Sequence, residues 1–162
     1  MAYDGAPHTM KLQISLAVAL VVLVLDFASK RWVEGALFDG QQIPLTGFFN
    51  LVLTYNAGAA FSFLSDAGGW QRWFFSLIAV GASILIVYLL RKHAADRLFC
   101  LALSLILGGA LGNLWDRITL GRVVDFLDFH AAGYHWPAFN VADSAIFLGA
   151  MLMIIDSFRR KE

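Results

Sequence analysis

Four stretches of this 162-residue chain are apolar almost without interruption, and charged residues mark one or both ends of each. Leu12 to Ser29 lies between Lys11 and Lys30, and Trp73 to Leu90 ends at Arg91. Leu98 to Trp115 follows Arg97, and Ala138 to Phe158 precedes "RRKE". Each has about 18 to 21 residues, the helix length a hydrocarbon core of ~30 Å requires. The pattern therefore predicts four membrane-spanning helices, at about 12–29, 73–90, 98–115 and 138–158, in one membrane domain over residues 1–162. The first stretch also has the charged start of a signal peptide. No A-x-A-like cleavage site follows "VLDFASKRW", so a retained helix is expected.

Between the first two spans the pattern changes. "FFNLVLTYN" is rich in β-branched and aromatic residues, with turn signals in "PLTG" before it and "NAGAA" after it, and predicts one or two strands. "AFSFLSDAGGWQRW" follows, with Trp70 and Trp73 suited to the headgroup region. A small sheet and an apolar interfacial flap are expected over about residues 31–72. Residues 1–10 are polar and unpatterned.

Composition reinforces the membrane class. The chain is 59% hydrophobic and 15% charged, far too apolar for a soluble domain of this size. The formal net charge is zero and no basic block occurs, so no nucleic-acid partner is expected. The single cysteine, Cys100, can form no internal disulfide. Basic density sets the orientation. "RKHAADR" has three basic residues in seven and "RRKE" three in four, against three in 43 from Lys30 to Arg72 and two in 22 from Asp116 to Pro137. The positive-inside rule then puts both termini in the cytoplasm and the two longer loops on the outer side.

Against this background the carboxylates stand out. Ten of the twelve acids are Asp, and Asp26, Asp116, Asp125, Asp128 and Asp143 fall within or beside apolar sequence on the outer side. An Asp at the centre of a bilayer helix costs roughly 2.5 to 3.5 kcal/mol on insertion scales, so an ionisable residue there is a functional candidate by default. Some have plain structural readings. Asp26 sits four residues before Lys30 and can pair with it; Asp116 adjoins Arg117 and can pair locally; Asp156 is within reach of Arg159 and Arg160. Gly108 and Gly112 make a G-x-x-x-G pair that lets a neighbouring helix approach closely. Asn113 shares a helix face with Asp116 or Arg117, and Asn140 and Asp143 are likewise three apart.

"GRVVDFLDFHAAGYHWPAFNVAD" resists such a reading. Asp125 is embedded in "VVDFLDF", Asp143 lies at the top of the fourth span, and only Arg122 offers local compensation. Two carboxylates brought together there share a proton and titrate as a unit. The pair supplies a base to activate water and an acid for the leaving amine. Neither H-E-x-x-H nor G-x-S-x-G occurs. His130 and His135 are five apart and beside Asp128, a set a metal could use, but two loop histidines are more often interfacial or solvated than ligating. No metal or cofactor is expected. Ser29 and Lys30 are adjacent and point apart on a helix, which argues against a Ser/Lys dyad.

"DFASK", "YNAGAAFSF", "GGALGNLWDR", "GRVVDFLDF" and "FNVADSA" occur in an order and spacing that resembles bacterial lipoprotein signal peptidase, also called signal peptidase II. The blocks run from Asp26 to Ala145. The resemblance implies a bacterial cytoplasmic (inner) membrane protein of four spans with both termini cytoplasmic, which agrees with the α-helical integral membrane fold and small extracytoplasmic β-sheet expected from the residues. It implies an aspartic endopeptidase that cuts diacylglyceryl-modified prolipoproteins just before the lipidated cysteine. By the same resemblance Asp125 and Asp143 are the catalytic pair. Asn56, Gly58, Asn113, Asp116, Arg117 and Asn140 lie around the substrate, and Asp26 and Lys30 are supporting residues. Membrane lipid and cyclic peptide inhibitors of the globomycin type are implied partners, and a monomer is the default expectation. Two other classes compete on the residues alone. One is a proton-coupled transporter using Asp26 and Asp143; the other is a scaffold built on the glycine-packed helices, which leaves Asp125 and Asp143 unexplained.

Overall fold

The computed structural model describes residues 10, 12–58 and 68–159. Most of the expected flap lies outside the described residues. Four helices are long and apolar enough to cross a membrane: α1 (Leu12–Ala36), α2 (Gln71–Lys92), α3 (Arg97–Leu120) and α4 (Val141–Arg159). Four strands, β1 (Gln42–Pro44), β2 (Phe49–Asn56), β3 (Val123–Ala131) and β4 (Tyr134–His135), form one antiparallel sheet in the order β1-β2-β3-β4.

The helices present large apolar side chains outward, among them Leu20, Val24, Leu77, Ile84 and Phe147, each more than half exposed. In lipid this is the expected face, because the backbone is satisfied within the helix and the side chains need no protein partner. The third helix is central: 56% of its apolar window is buried, against 17–22% in the other three. Glycine lets it sit there. A Cβ on Gly108 would lie 2.6 Å from the Ala19 carbonyl oxygen, and one on Gly109 would strike the carbonyl oxygen of Ala142. The expected close approach at Gly108 is therefore made to α1, and Gly109, outside the G-x-x-x-G pair, makes the approach to α4.

Helix α3 ends at Gly121, which adopts φ 77° as its C-cap. A left-handed residue there stops the helix at little steric cost and turns the chain into β3. The apolar stretch around Asp125 is thus a strand, which the sequence analysis did not assign. Its pattern lacks clean alternation because Val123, Val124, Asp125 and Phe126 are all buried, as a strand covered on both faces requires. Val124 and Phe126 pack with Leu53 of β2 against Val33 and Leu37 at the end of α1. Beside Asp125 the ladder shifts register: Leu51 pairs with Leu127 and Thr54 with Asp125, so two residues of β2 face one of β3. Such a bulge bends and twists a strand locally.

Ala132 (φ 50°) and Gly133 (φ 83°) form the two-residue turn between β3 and β4. Two positive φ values match the twist of a tight hairpin. The returning chain lies beside β3, with Phe139 bridged to Leu127. Helix α4 begins at Val141, three residues after the span start expected at Ala138. Phe139 is engaged with the sheet, and Asn140 serves as the cap.

Candidate active site

Turn and bridge together carry the chain from Asp125 on β3 back to Asp143 in the first turn of α4. Both aspartates line one cavity of about 750 Å³, with Asn56, Asn113 and Arg117. Phe139, Ile146 and Phe147 supply part of its apolar wall. That size and character suit a bound ligand of substantial apolar surface.

Asn140 joins the two carboxylates. Its Nδ2 donates to Asp125 Oδ1 at 2.7 Å and to the Val124 carbonyl at 3.1 Å. Its Oδ1 accepts the Asp143 backbone N–H at 2.9 Å, while its own N–H donates to Asp143 Oδ2 at 3.3 Å. This is a capping box with Asn140 at the N-cap and Asp143 three residues on, so starting the helix also orients the aspartate. The N-x-x-D spacing in "FNVAD" was the available sequence signal. Asn113 Nδ2 donates to Asp143 Oδ1 at 2.7 Å. Asn56 hydrogen-bonds Asp125, and its Oδ1 accepts the Gly58 N–H at 2.9 Å.

Asp125 is 3% exposed. Burial raises its carboxyl to about 7, and the neighbouring charge of Asp143 adds to the rise; Asn140, Asn56 and Lys30 only partly oppose it. The rise brings its titration into the neutral range. The arrangement therefore offers a carboxylic acid and a carboxylate on one apolar wall, the combination general acid–base chemistry needs.

Arg117 lines the same cavity. Its Nη2 donates to the Gly58 carbonyl at 3.0 Å, its Nη1 to the Asn113 carbonyl at 3.4 Å, and its guanidinium lies 5.3 Å from the Phe75 ring centroid. Sequence reasoning gave Phe75 no role, since an aromatic in a span reads as lipid-facing.

Not every expected substrate-facing residue lines the cavity. Asn140 is fully buried behind the aspartates. Asp116, expected to pair with Arg117, turns the other way: Oδ2 meets Lys30 Nζ at 2.9 Å and Oδ1 meets Arg31 Nη2 at 3.4 Å. The Oδ2 atom also accepts the Val124 N–H at 3.2 Å. The Asp26–Lys30 pairing forms at 2.7 Å, and Asp26 Oδ1 accepts the Ala142 N–H at 2.8 Å. Asp26, Lys30 and Asp116 thus make a buried charged layer that ties α1 and α3 to β3 and to the start of α4.

Comparison with known proteins gives one consistent result. A family model described as Signal peptidase (SPase) II matches residues 18–159. The lipoprotein signal peptidase of Ralstonia nicotianae is 58% identical over 145 residues, covering 90% of this chain and 84% of that protein. The lipoprotein signal peptidase of Cupriavidus necator is 59% identical over 145 residues, covering 90% and 83%. A solved bacterial membrane enzyme superposes with a TM-score of 0.86 at 32% identity, covering 95% of this chain and 93% of that one. A second solved bacterial membrane enzyme gives 0.80 at 33% identity, covering 91% and 94%.

Proposed function

The chain belongs to the signal peptidase II family, multi-pass bacterial membrane peptidases that remove signal peptides from prolipoproteins, and from that premise we propose that it is an aspartic endopeptidase whose working pair is Asp125 and Asp143. Its substrate is a prolipoprotein carrying diacylglyceryl-cysteine, cut just before that cysteine. The observation that carries the reading is the pair itself: two carboxylates held by one asparagine on the wall of an apolar cavity.

The reaction consumes one water. The ionised aspartate takes a proton from water as the water oxygen bonds to the scissile carbonyl carbon. The protonated aspartate gives its proton to the carbonyl oxygen, producing a gem-diol. In the second step the C–N bond breaks and the nitrogen receives the proton taken from water. One hydroxyl of the gem-diol returns its proton to the other aspartate, restoring C=O. A carboxylic acid and an amine leave, and the dyad ends as it began.

Arg117 and Asn56 serve the peptide backbone. The Arg117 Nε atom is buried and has no hydrogen-bond partner among the described residues, which leaves a donor for a substrate carbonyl. Ile146 and Phe147 continue the cavity wall along α4, where the substrate's acyl chains can remain in lipid beside the helix. The site faces the outer side, with both termini cytoplasmic. That orientation follows the basic density of the loops; Trp32, Trp115, Trp70 and Trp73, all more than half exposed near the site-side ends of α1, α3 and α2, suit a headgroup interface at the level of the site. The enzyme acts as a monomer, and cyclic peptides of the globomycin type would occupy the same cavity.

The test is cleavage of a purified diacylglyceryl-modified prolipoprotein in detergent by the parent, by Asp125→Asn and by Asp143→Asn. Release by the parent alone is expected. Release by either variant at the parental rate would remove the dyad, and release by none would remove the peptidase.

A further inference from the structure

Lys30 is fully buried, and its ammonium is saturated: Asp26 Oδ2 at 2.7 Å, Asp116 Oδ2 at 2.9 Å and Asn113 Oδ1 at 3.1 Å account for its three N–H donors. The third contact leads to the site. With Oδ1 of Asn113 held by a cation, a flipped amide would set its NH2 against an ammonium, donor to donor. The Asn113 NH2 is thereby aimed at Asp143 Oδ1. Asp143 also accepts the Asn140 N–H and sits in the first turn of α4, where the helix dipole favours an anion. Asp125 lies on a strand and has no such field.

We propose that Lys30 is a positioning residue of the hydrolysis, which through the Asn113 amide keeps Asp143 the ionised, water-activating member of the pair and leaves the shared proton on Asp125. The proposal rests on the dyad reading above. It assigns the steps already balanced there: Asp143 takes the proton from water, and Asp125 protonates the carbonyl oxygen. The near-neutral titration of Asp125 agrees with this division.

The charged groups that act on the pair are Lys30 of α1 and Arg117 of α3 besides the two aspartates themselves from β3 and α4, while Asp26 and Asp116 face Lys30 from behind Asn113. Two substitutions on this network act with opposite sign. Lys30→Met removes the cation and leaves Asp26 and Asp116, the two carboxylates it pairs, uncompensated behind Asn113. Asp26→Asn removes an anion while Lys30 keeps Asp116.

The experiment is the pH dependence of kcat/KM for cleavage of a diacylglyceryl-modified prolipoprotein by parent, Lys30→Met and Asp26→Asn in detergent. The acidic limb, which reports ionisation of the base in the free enzyme, should move up by about one pH unit or more in Lys30→Met. It should move down in Asp26→Asn. A merely structural role would lower the rate and leave both limbs in place. An acidic limb that stays at the parental pH, or that moves in the same direction in both variants, overturns the proposal. Should Lys30→Met fail to fold, Asp26→Asn decides alone: an unmoved limb overturns it. A parent that does not cut the substrate instead removes the dyad reading on which the proposal stands.

Discussion

Asp125 and Asp128 stand three residues apart on one strand, equally hidden at 3% and 5% exposure, yet their carboxyls behave in opposite ways. At Asp125 burial dominates and the like charge of Asp143 adds to it, so the carboxyl is raised to about 7. At Asp128 burial also pulls upward, but the Asn50 amide at 2.6 Å and the His135 ring at 2.9 Å outweigh it, and the carboxyl lies below its usual range. Depth alone decides neither. An acid with two donors and no rival charge is a structural group; the same acid beside a second carboxylate on the wall of an apolar cavity is poised to exchange protons.

The sharpest break of this comparison is kinetic. Asp125→Asn should lower cleavage of the lipidated substrate on the order of 10³-fold or more, while Asp128→Asn should keep it within about threefold in the same gel assay. Equal losses would mean that the two acids belong to one site. The next effect concerns what stands behind the dyad. A Cβ on Gly112 would lie 2.5 Å from Asp26 Oδ2. Gly112→Ala should therefore push Asp26 from Lys30, with a stability loss of about 1–3 kcal/mol and about tenfold slower cleavage. Thermal denaturation and initial rates measure both.

Stability against pH separates the two acids further. For Asp125 the folded-state value lies above the ordinary 3.8, so the folded protein binds more protons between that pH and about 7. Its contribution therefore turns against folding as pH rises through that window. Asp125→Asn should melt a few degrees above the parent at pH 8, with the difference fading near pH 4. Asp128 has the opposite sign: its contribution is present above the ordinary carboxylate range and lost as pH falls through its lowered value, so Asp128→Asn should be most damaging near neutral pH. Melting curves of both variants across pH test the pair; slopes of the same sign would contradict it. The smallest effect is expected at the turn that links the two regions. Gly133 has φ 83°, where an L side chain costs roughly 1–2 kcal/mol. Gly133→Ala should lower the melting temperature by a few degrees and the cleavage rate by less than about threefold, since Phe139 and Asn140 hold the return of the chain independently.

The reach of the sequence differs from element to element. The four helices were legible because a run of about twenty apolar residues identifies itself without knowledge of any partner. The strand β2 was legible from its β-branched and aromatic content between turn signals, and the Asp26–Lys30 pair from its four-residue spacing. The strand β3 was not, because burial on both faces erased the alternation by which a strand is recognised. "HAAGYHW" carries no recognisable motif, yet Ala132 and Gly133 in it make the turn that returns the chain to α4.

Sequence by itself thus determined the membrane class, the number and order of the spans and, through five motif blocks, the family and the residues worth suspecting. Only the tertiary structure decided how those residues divide their work. Asp116 turned from its neighbour Arg117 to Lys30, 86 positions earlier in the chain, Asn140 became the cap that joins two carboxylates, and Asp128 was satisfied by Asn50 and His135. The physical reason is locality. Hydropathy and helix length are properties of a segment, whereas the state of a buried charge is set by whichever groups the fold brings within hydrogen-bonding distance of it.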